Sequence, residues 1–132
     1  MYASSLVDMG YDISYFQAVE PRFGNMSDMD ELINQCHKRG MKSILDLVIN
    51  HTSDQHKWFQ QSRKNKDNEY TGWHIWKKPK YDEKGKRQPP NNWGCFCGGS
   101  AWEYVPERDE YCLHLFCPER TPSHAKRSTT AP

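Results

Sequence analysis

Polar side chains interrupt and end one apolar run of the chain. Asp46 lies inside Lys42–Ile49, and Asn50 and His51 follow that run directly. The run lacks the alternation of a half-buried strand and is typical of a strand that is buried on both faces of a parallel sheet. Polar groups at the carboxyl end of a parallel barrel strand are where such barrels keep their sites. The sequence therefore predicts a functional site at Asn50 and His51, with Asp46 as a buried structural carboxylate beside it.

The cysteines offer a second possible chemistry, metal binding. Cys95-x-Cys97 and Cys112-x-His114-x-x-Cys117 supply soft ligands, but structural zinc usually prefers cysteine pairs with two to four intervening residues. An odd count of five cysteines without regular spacing argues against a disulfide framework and fits a reducing compartment. We expect free thiols that pack as small hydrophobic side chains, and neither a metal nor a cofactor.

Charge and hydropathy exclude several classes of partner. The net charge is +1, from 18 basic and 17 acidic residues, so no single-sign field recruits nucleic acid. The basic run Lys77–Arg87 is interrupted by Asp82 and Glu83 and is interpreted as a solvated loop. No apolar run approaches the ~20 residues of a membrane span, and Met1–Asp12 has no signal-peptide pattern. We expect a cytoplasmic protein without nucleic-acid or membrane partners.

One helix is strongly predicted before the apolar run. Asn25 is a good N-cap, and Asp28, three residues on, forms a variant of the capping box. Apolar residues then recur at helical spacing, and they are Met29, Leu32, Ile33 and Cys36. Lys38 and Arg39 suit the last turn, and Gly40 provides the stop. Helix, short loop and buried strand are half of a βαβ repeat, so the fold class is α/β.

The remaining segments are predicted from turn and cap signals. Met1–Phe23 is expected to be a loop with at most a short turn of helix. Thr52 or Ser53 is expected to cap a helix that reaches about Arg63, and residues 64–92 are expected to be loop. The chain should then form a β-hairpin from Ala101–Val105 and Tyr111–Phe116. A disordered tail is expected over Pro118–Pro132.

Several motifs together resemble one enzyme family. Asp46–His51 has the pattern D-x-x-x-N-H, which resembles the third-strand motif of the α-amylase superfamily, glycoside hydrolase family 13. Asp8–Ser14 is similar to the loop after the second barrel strand in oligo-1,6-glucosidases and α-glucosidases. Asn91–Gly94 and Gly99–Tyr104 continue the match. The resemblance covers about residues 2–117.

The resemblance implies a fold and a domain division. The family fold is a (β/α)8 TIM barrel with a small domain inserted after the third strand, and such a barrel needs ~250 residues. The chain would then hold a fragment, the second and third βα units plus most of the inserted domain. Residues 1–51 would belong to the barrel, residues 52–117 to the inserted domain with its hairpin, and residues 118–132 to a tail outside the family.

The resemblance also implies site residues and a partner. Asp8 and His51 match residues that hydrogen-bond the hydroxyls of glucose at the cleavage subsite, and Tyr11 matches a residue that stacks on the sugar ring. Asp46, Asn50 and Phe96 would be structural residues near the site. The partner would be an α-glucoside oligosaccharide. Without the resemblance, the residues themselves favour an Asx-turn role for Asp8 and ordinary packing for Tyr11.

The departures from the family predict that the chain itself is inactive. A retaining glycosidase needs a carboxylate nucleophile and a carboxylic acid ~5–5.5 Å apart, and the family carries them on the fourth and fifth strands. We expect neither in this sequence. The family pattern also stops after Phe116, where Cys117–Pro122 follows, which suggests a frameshift or aberrant splice.

Two alternatives to a functional enzyme stay open at this point, one for the ancestry of the chain and one for its fate. The non-enzymatic heavy chain of amino-acid transporters shares the fold and the motif at Pro89–Trp93. It does not keep the set of residues at Asp8–Asp12. A pseudogene product without a role is the other alternative.

Overall fold

Nine strands and two α-helices form over the residues that the structure, a computed structural model, describes, which are 2–117 and 120–122. In chain order they are β1 (Tyr2–Ser4), β2 (Ile13–Val19), α1 (Met26–Lys38), β3 (His51–Ser53), α2 (Lys57–Lys64), β4 (Trp76–Lys77), β5 (Lys80–Tyr81), β6 (Arg87–Gln88), β7 (Trp102–Val105), β8 (Glu110–Leu113) and β9 (Arg120–Pro122). All of the strand pairings are antiparallel within this described part of the chain.

The helix α1 confirms the predicted cap. Asn25 Oδ1 accepts hydrogen bonds from the backbone N–H groups of Ser27 at 2.8 Å and Asp28 at 3.2 Å. Asp28 Oδ2 accepts in return from the Asn25 N–H at 2.8 Å, which completes the capping box. Gly40 follows the helix at φ 69°, a conformation that favours glycine. None of the residues of α1 is buried, however, so local capping rather than packing defines this helix.

The predicted loop over Met1–Phe23 is wrong, because its described part contains β1 and β2. The two strands pair antiparallel with an irregular register, Tyr2 opposite Val19 and Ser4 opposite Ile13. Ile13 is buried at 1% exposure. The pairing joins residues up to 17 positions apart. Polar residues are frequent in this segment, so its sequence does not show the alternation of apolar and polar residues that indicates a strand.

The predicted buried strand Lys42–Ile49 is also wrong in this structure, which shows no strand there. Its aliphatic side chains are exposed at Ile44, Leu45, Leu47 and Ile49, and only Val48 is buried. A strand of a parallel sheet needs a hydrogen-bonded neighbour on each edge, and no described strand pairs with these residues. Asp46 is exposed as well, so it does not have the buried environment that the sequence predicted.

The predicted hairpin is confirmed as β7 and β8, with Trp102 opposite Leu113 and Val105 opposite Glu110. β4 joins the other edge of β8, giving the sheet order β4-β8-β7. The sheet is covered by two clusters of buried apolar residues. One contains Ala101, Trp102, Tyr111 and Leu113, and the other contains Phe59, Val105 and Cys112.

The helix α2 packs on this sheet but starts later than predicted. Thr52 and Ser53 lie in β3 and are buried, so His56 caps the helix instead, through Nδ1 and the N–H of Trp58 at 3.2 Å. Phe59 of α2 stacks on Trp76 of β4, with ring centroids 6.0 Å apart. The loop predicted over residues 64–92 is only partly correct, because β4, β5 and β6 lie within it.

A buried arginine joins α2 to the hairpin. Arg108 is 4% exposed, and its guanidinium donates to the backbone oxygens of Ser62 and Asn65 and pairs with Glu110 at 2.9 Å. The same group lies 4.2 Å from the centre of the Trp76 ring, a cation–π contact. Arg108 therefore connects three separate parts of the packed region.

The tail predicted over Pro118–Pro132 lies mostly outside the described residues. Within it, Arg120–Pro122 form β9, which pairs antiparallel with β3. Across the described ranges, neither α1 nor α2 has the length and apolar character that a membrane crossing requires.

Candidate functional site

The first part of the site is a loop organised by the buried carboxylate of Asp12. Asp12 is 0% exposed and accepts hydrogen bonds from the hydroxyl of Ser4 at 2.7 Å and from the hydroxyl of Ser5. The backbone N–H groups of Val7 and Asp8 also donate to it, at 3.2 and 3.3 Å. Four donors from the chain itself make Asp12 a structural group that fixes the backbone around Asp8.

The electrostatics of Asp12 agree with this role. Burial by itself raises the pKa of this carboxyl, but the hydrogen bonds from Ser5 and Ser4 outweigh it and hold the pKa below the ordinary 3.8. The backbone that wraps the carboxylate takes left-handed conformations at Leu6, Met9 and Gly10, with φ of 58°, 51° and 94°. Only glycine adopts such angles without strain, so the Asp12 hydrogen bonds hold this loop in an otherwise unfavourable shape.

The structure brings together the three residues predicted to bind substrate. The Tyr11 N–H donates to the backbone oxygen of Asp8 at 2.8 Å. His51 Nε2 lies 2.8 Å from the backbone oxygen of Tyr11, although His51 is 40 positions away in sequence. A carbonyl oxygen can only accept, so Nε2 carries the proton and donates. Asp8, Tyr11 and His51 therefore form one connected group, which we call the Asp8–Tyr11–His51 cluster.

The second ring nitrogen of His51 is also engaged. His51 Nδ1 lies 2.7 Å from the side-chain nitrogen of Asn50, which donates to it when Nε2 holds the proton. In this structure Asn50 therefore orients the imidazole of His51. A sugar hydroxyl that bound to His51 would have to replace either the Asn50 amide or the Tyr11 carbonyl as its hydrogen-bond partner.

Burial controls the charge of His51. The residue is 3% exposed, and burial lowers the pKa of the imidazole below the ordinary 6.5. The Tyr11 carbonyl and the Asp12 charge act in the opposite direction, but they are smaller. His51 is therefore neutral at pH 7, the form in which one nitrogen donates and the other accepts.

The exposed side chain of the cluster is Tyr11, which is 44% exposed. Its ring helps to line a cavity whose wall also includes Asp46 and a set of mostly apolar neighbours, among them Tyr2, Met9, Ile13, Phe16 and Val48. An open aromatic face beside an exposed carboxylate suits a ring that carries hydroxyl groups. The structure places Asp46 in the cavity wall near Tyr11, without a hydrogen bond to His51.

Aromatic rings extend the cluster on the other side of His51. The Phe116 ring lies 5.3 Å from the His51 ring, and Phe96 lies 6.2 Å from Phe116. Phe96 is 91% exposed and contacts His51 only through Phe116. The sequence alone predicts no site role for Phe116 or Asp12. Asp12 stands within the quoted motif Asp8–Ser14, and that position was the available signal. Phe116 ends the predicted strand Tyr111–Phe116, which gave no sign of a contact with His51.

The thiols do not form the metal site that their spacing allowed. No group of three or more His, Cys, Asp or Glu side chains suited to a metal ion occurs among the described residues. All five cysteines are free. Only Cys112 is buried in the core, while Cys97 is exposed and Cys95 is partly exposed. The prediction that the thiols pack as small hydrophobic groups is therefore confirmed for Cys112 and wrong for Cys97.

Comparisons with known proteins place the chain in a family. The sequence profile of the alpha-amylase catalytic domain matches residues 1–125, which extends beyond the last motif quoted above. An α-glucosidase from Candida albicans is 55% identical over 116 residues, and an oligo-1,6-glucosidase from Saccharomyces cerevisiae is 51% identical over 116 residues. These matches cover 88% and 87% of this chain but only 20% of each relative. The chain therefore spans about a fifth of the length of these curated relatives.

Solved structures show the same relationship. A trehalose-6-phosphate hydrolase from Bacillus licheniformis superposes with a TM-score of 0.85 at 41% identity, covering 93% of this chain and 21% of that one. The α-glucosyl transfer enzyme XgtA superposes with a TM-score of 0.87 at 41% identity, covering 93% and 22%. The chain thus corresponds to a fragment of a TIM-barrel enzyme, and it belongs to the α-amylase family, glycoside hydrolase family 13.

Proposed function

We propose that this sequence supplies part of the glucose-binding site of an α-glucosidase that releases terminal α-linked glucose from short oligosaccharides. The observation that carries the proposal is the hydrogen-bonded Asp8–Tyr11–His51 cluster, in which two distant parts of the chain meet through the Tyr11 backbone. Asp8 and His51 would hydrogen-bond sugar hydroxyls, and Tyr11 would stack on the sugar ring. The named relatives are α-glucosidases and oligo-1,6-glucosidases and give no support to the transporter heavy-chain alternative.

The proposal includes a division of the chain within such an enzyme. Residues 1–51 would form the second and third βα units of the barrel, and residues 52–117 most of the inserted domain. The exposed aliphatic side chains between Ile44 and Ile49 support this division, because a barrel strand buries such side chains against neighbours. We also propose a cytoplasmic location, which the five free thiols support.

The 132-residue chain alone is proposed to have no glycosidase activity. Hydrolysis with retention requires a paired nucleophile and acid, and the acids close to the cluster do not supply that pair. Asp12 is held by four donors, Asp46 lies in the cavity wall, and Asp8 is assigned to sugar hydroxyls. General acid catalysis alone contributes ~10²–10⁴-fold. Purified chain should release no glucose from maltose, isomaltose or an aryl α-glucoside above a buffer blank.

A chimaera tests the binding role directly. The 116 residues of the Candida albicans α-glucosidase that match this chain would be replaced by the corresponding residues of this chain. The chimaera should hydrolyse maltose, and Asp8→Ala in it should lower kcat by more than it raises KM, because hydrogen bonds to sugar hydroxyls strengthen in the oxocarbenium-like transition state. Asp30→Ala, at an exposed carboxylate of α1, is the matched control and should change neither constant. A change in KM alone for Asp8→Ala would contradict the assignment.

A further inference from the structure

Two cysteines stand together at the tip of a tight loop. Gly94 and Ser100 bridge in antiparallel fashion, and the Cys95 N–H donates to the Gly99 oxygen at 3.1 Å. The Gly98 N–H donates to the Cys95 oxygen at 3.1 Å, which closes a four-residue turn. Cys95 and Cys97 therefore occupy the first and third positions of this turn, where the backbone folds back on itself.

The two thiols face each other. Their Sγ atoms are 2.9 Å apart in a thiol–thiol hydrogen bond. Cys95 Sγ also lies 2.9 Å from the Gly98 oxygen, and Cys97 Sγ lies 3.3 Å from the Phe116 oxygen. Each thiol has a single hydrogen, so the carbonyl oxygens compete with the partner sulfur for it. These contacts hold both sulfur atoms on the same side of the loop. Cys112, in contrast, is 2% exposed in the core.

We propose that Cys95 and Cys97 are a reversible dithiol–disulfide pair that glutathione disulfide oxidises. The chemistry begins when the Cys97 thiolate attacks glutathione disulfide, forming a mixed disulfide and releasing one glutathione thiolate. The Cys95 thiolate then attacks Cys97 Sγ, closes the intramolecular disulfide and releases the second glutathione. The two protein thiols lose two protons and two electrons, and glutathione disulfide is reduced to two glutathione molecules.

The order of attack follows from exposure and electrostatics. Cys97 is exposed and Cys95 is only partly exposed, so an external disulfide reaches Cys97 first. The hydrogen bond with the Cys97 side chain raises the pKa of the Cys95 thiol, and desolvation acts in the same direction. Cys95 therefore ionises less readily than an ordinary thiol, and together with its lower exposure this makes it the resolving thiol.

The loop can accommodate the bond, and it lies beside the Asp8–Tyr11–His51 cluster. Gly98 and Gly99 have φ of 89° and 83°. A Cβ atom at either position would have no neighbouring atom within 4 Å, so the backbone after Cys97 has free space in which to adjust. Phe96 stands between the two cysteines and contacts Phe116, whose ring packs on His51. A disulfide at this turn would thus restrain Phe96.

Mass spectrometry of the full 132-residue chain tests the proposal. The reduced chain would be incubated with glutathione disulfide, alkylated and digested with trypsin, which yields a peptide over residues 88–108 that contains only Cys95 and Cys97. We expect that peptide to be about 2 Da lighter than its reduced form, from the loss of two hydrogen atoms. It should carry no alkyl group, and dithiothreitol should restore two alkylation sites.

Single variants separate this pairing from other thiol chemistry. In C97S and C95S the lighter peptide should be absent, while C36S, which changes a thiol of α1, should leave its yield unchanged. The proposal would be overturned if the wild-type peptide carried only glutathione adducts, stayed fully alkylated, or was cross-linked to the peptide that contains Cys112 and Cys117.

Discussion

Residues 2–51 and residues 52–117, the two parts of the domain division proposed above, differ in the burial of their apolar side chains. We call them the barrel segment and the inserted segment. Seven of the nine buried hydrophobic residues lie in the inserted segment, and the barrel segment contributes only Ile13 and Val48. The barrel segment leaves several aliphatic side chains half or more exposed, among them Val7, Ile44, Leu45, Leu47 and Ile49.

The difference indicates which segment can bury its own apolar side chains without further parts of a barrel. The inserted segment has a three-stranded sheet, a helix packed on it and a buried arginine that joins them. The barrel segment has a well-capped helix without a buried face and an apolar run without strand partners. Since burial of apolar surface is the dominant favourable term in folding, we expect the stability of the chain to reside in the inserted segment.

The largest effect is expected from Arg108→Ala in the inserted segment. The change removes the guanidinium group, so the backbone oxygens of Ser62 and Asn65 lose their hydrogen-bond donor. Loss of one partner of a buried polar network should lower the free energy of unfolding by about 3–5 kcal/mol, although Lys66 still pairs with Glu110. Urea unfolding followed by tryptophan fluorescence measures this loss in the free energy of unfolding.

Arg63→Ala is the matched control for that experiment. Arg63 pairs with Glu107 at the surface, where both side chains are more than a third exposed. An exposed ion pair contributes at most about 1 kcal/mol. Equal losses in the two variants would show that the buried position of Arg108 has no special importance.

A pair of identical substitutions compares the two segments directly. Leu113 is 3% exposed in the inserted segment, and Leu47 is 63% exposed in the barrel segment. Leu113→Ala should lower the free energy of unfolding by about 2–5 kcal/mol through lost burial and a cavity. Leu47→Ala should change it by less than about 0.5 kcal/mol. Comparable losses would mean that Leu47 is buried in solution and that the two segments do not differ as described.

A smaller, pH-dependent effect is expected at the cap of α2. Burial lowers the pKa of His56 below its ordinary 6.5, and the neighbouring Lys57 charge adds to this. Below pH 6.5 the unfolded chain therefore binds more protons than the folded chain, so stability falls as the pH decreases. Protonation also removes the acceptor that caps Trp58. Burial lowers the pKa of His51 as well, so His51 also lowers the stability of the folded chain as the pH decreases.

His56→Asn separates the two histidines, because asparagine can cap the helix but does not titrate. Urea midpoints measured from about pH 7 to about pH 5 should fall less steeply in the variant than in the wild-type chain. An unchanged slope would exclude His56 as a source of the pH dependence.

Elements defined by neighbouring residues were predictable from the sequence. The Asn25 cap of α1 depends on a side chain three positions from its partner, and the β7–β8 hairpin depends on a short connection. Both are confirmed. Elements that depend on distant partners were not predictable: β1 pairs with residues that follow a turn, and β3 pairs with β9 almost 70 positions later.

The apolar run Lys42–Ile49 is a case in which a strand was predicted and its distant partners are absent from the described residues. Its composition indicates a strand, but composition does not provide the neighbours that a strand requires. Within the candidate site, the motifs identified Asp8, Tyr11 and His51, and the structure joins them through the Tyr11 backbone. The four hydrogen bonds to Asp12 and the contact between the Phe116 and His51 rings were missed, because most of these contacts join residues that no single motif contains.

Amide hydrogen exchange of the 132-residue chain tests the difference between the two segments most directly. Amides of β7 and β8, which are paired in the sheet, should exchange slowly at pH 7. Amides of residues 43–49 should exchange at the rate of an unstructured peptide, because no strand covers them and their side chains are exposed. Protection of residues 43–49 equal to that of β8, with a single cooperative thermal transition, would contradict the account.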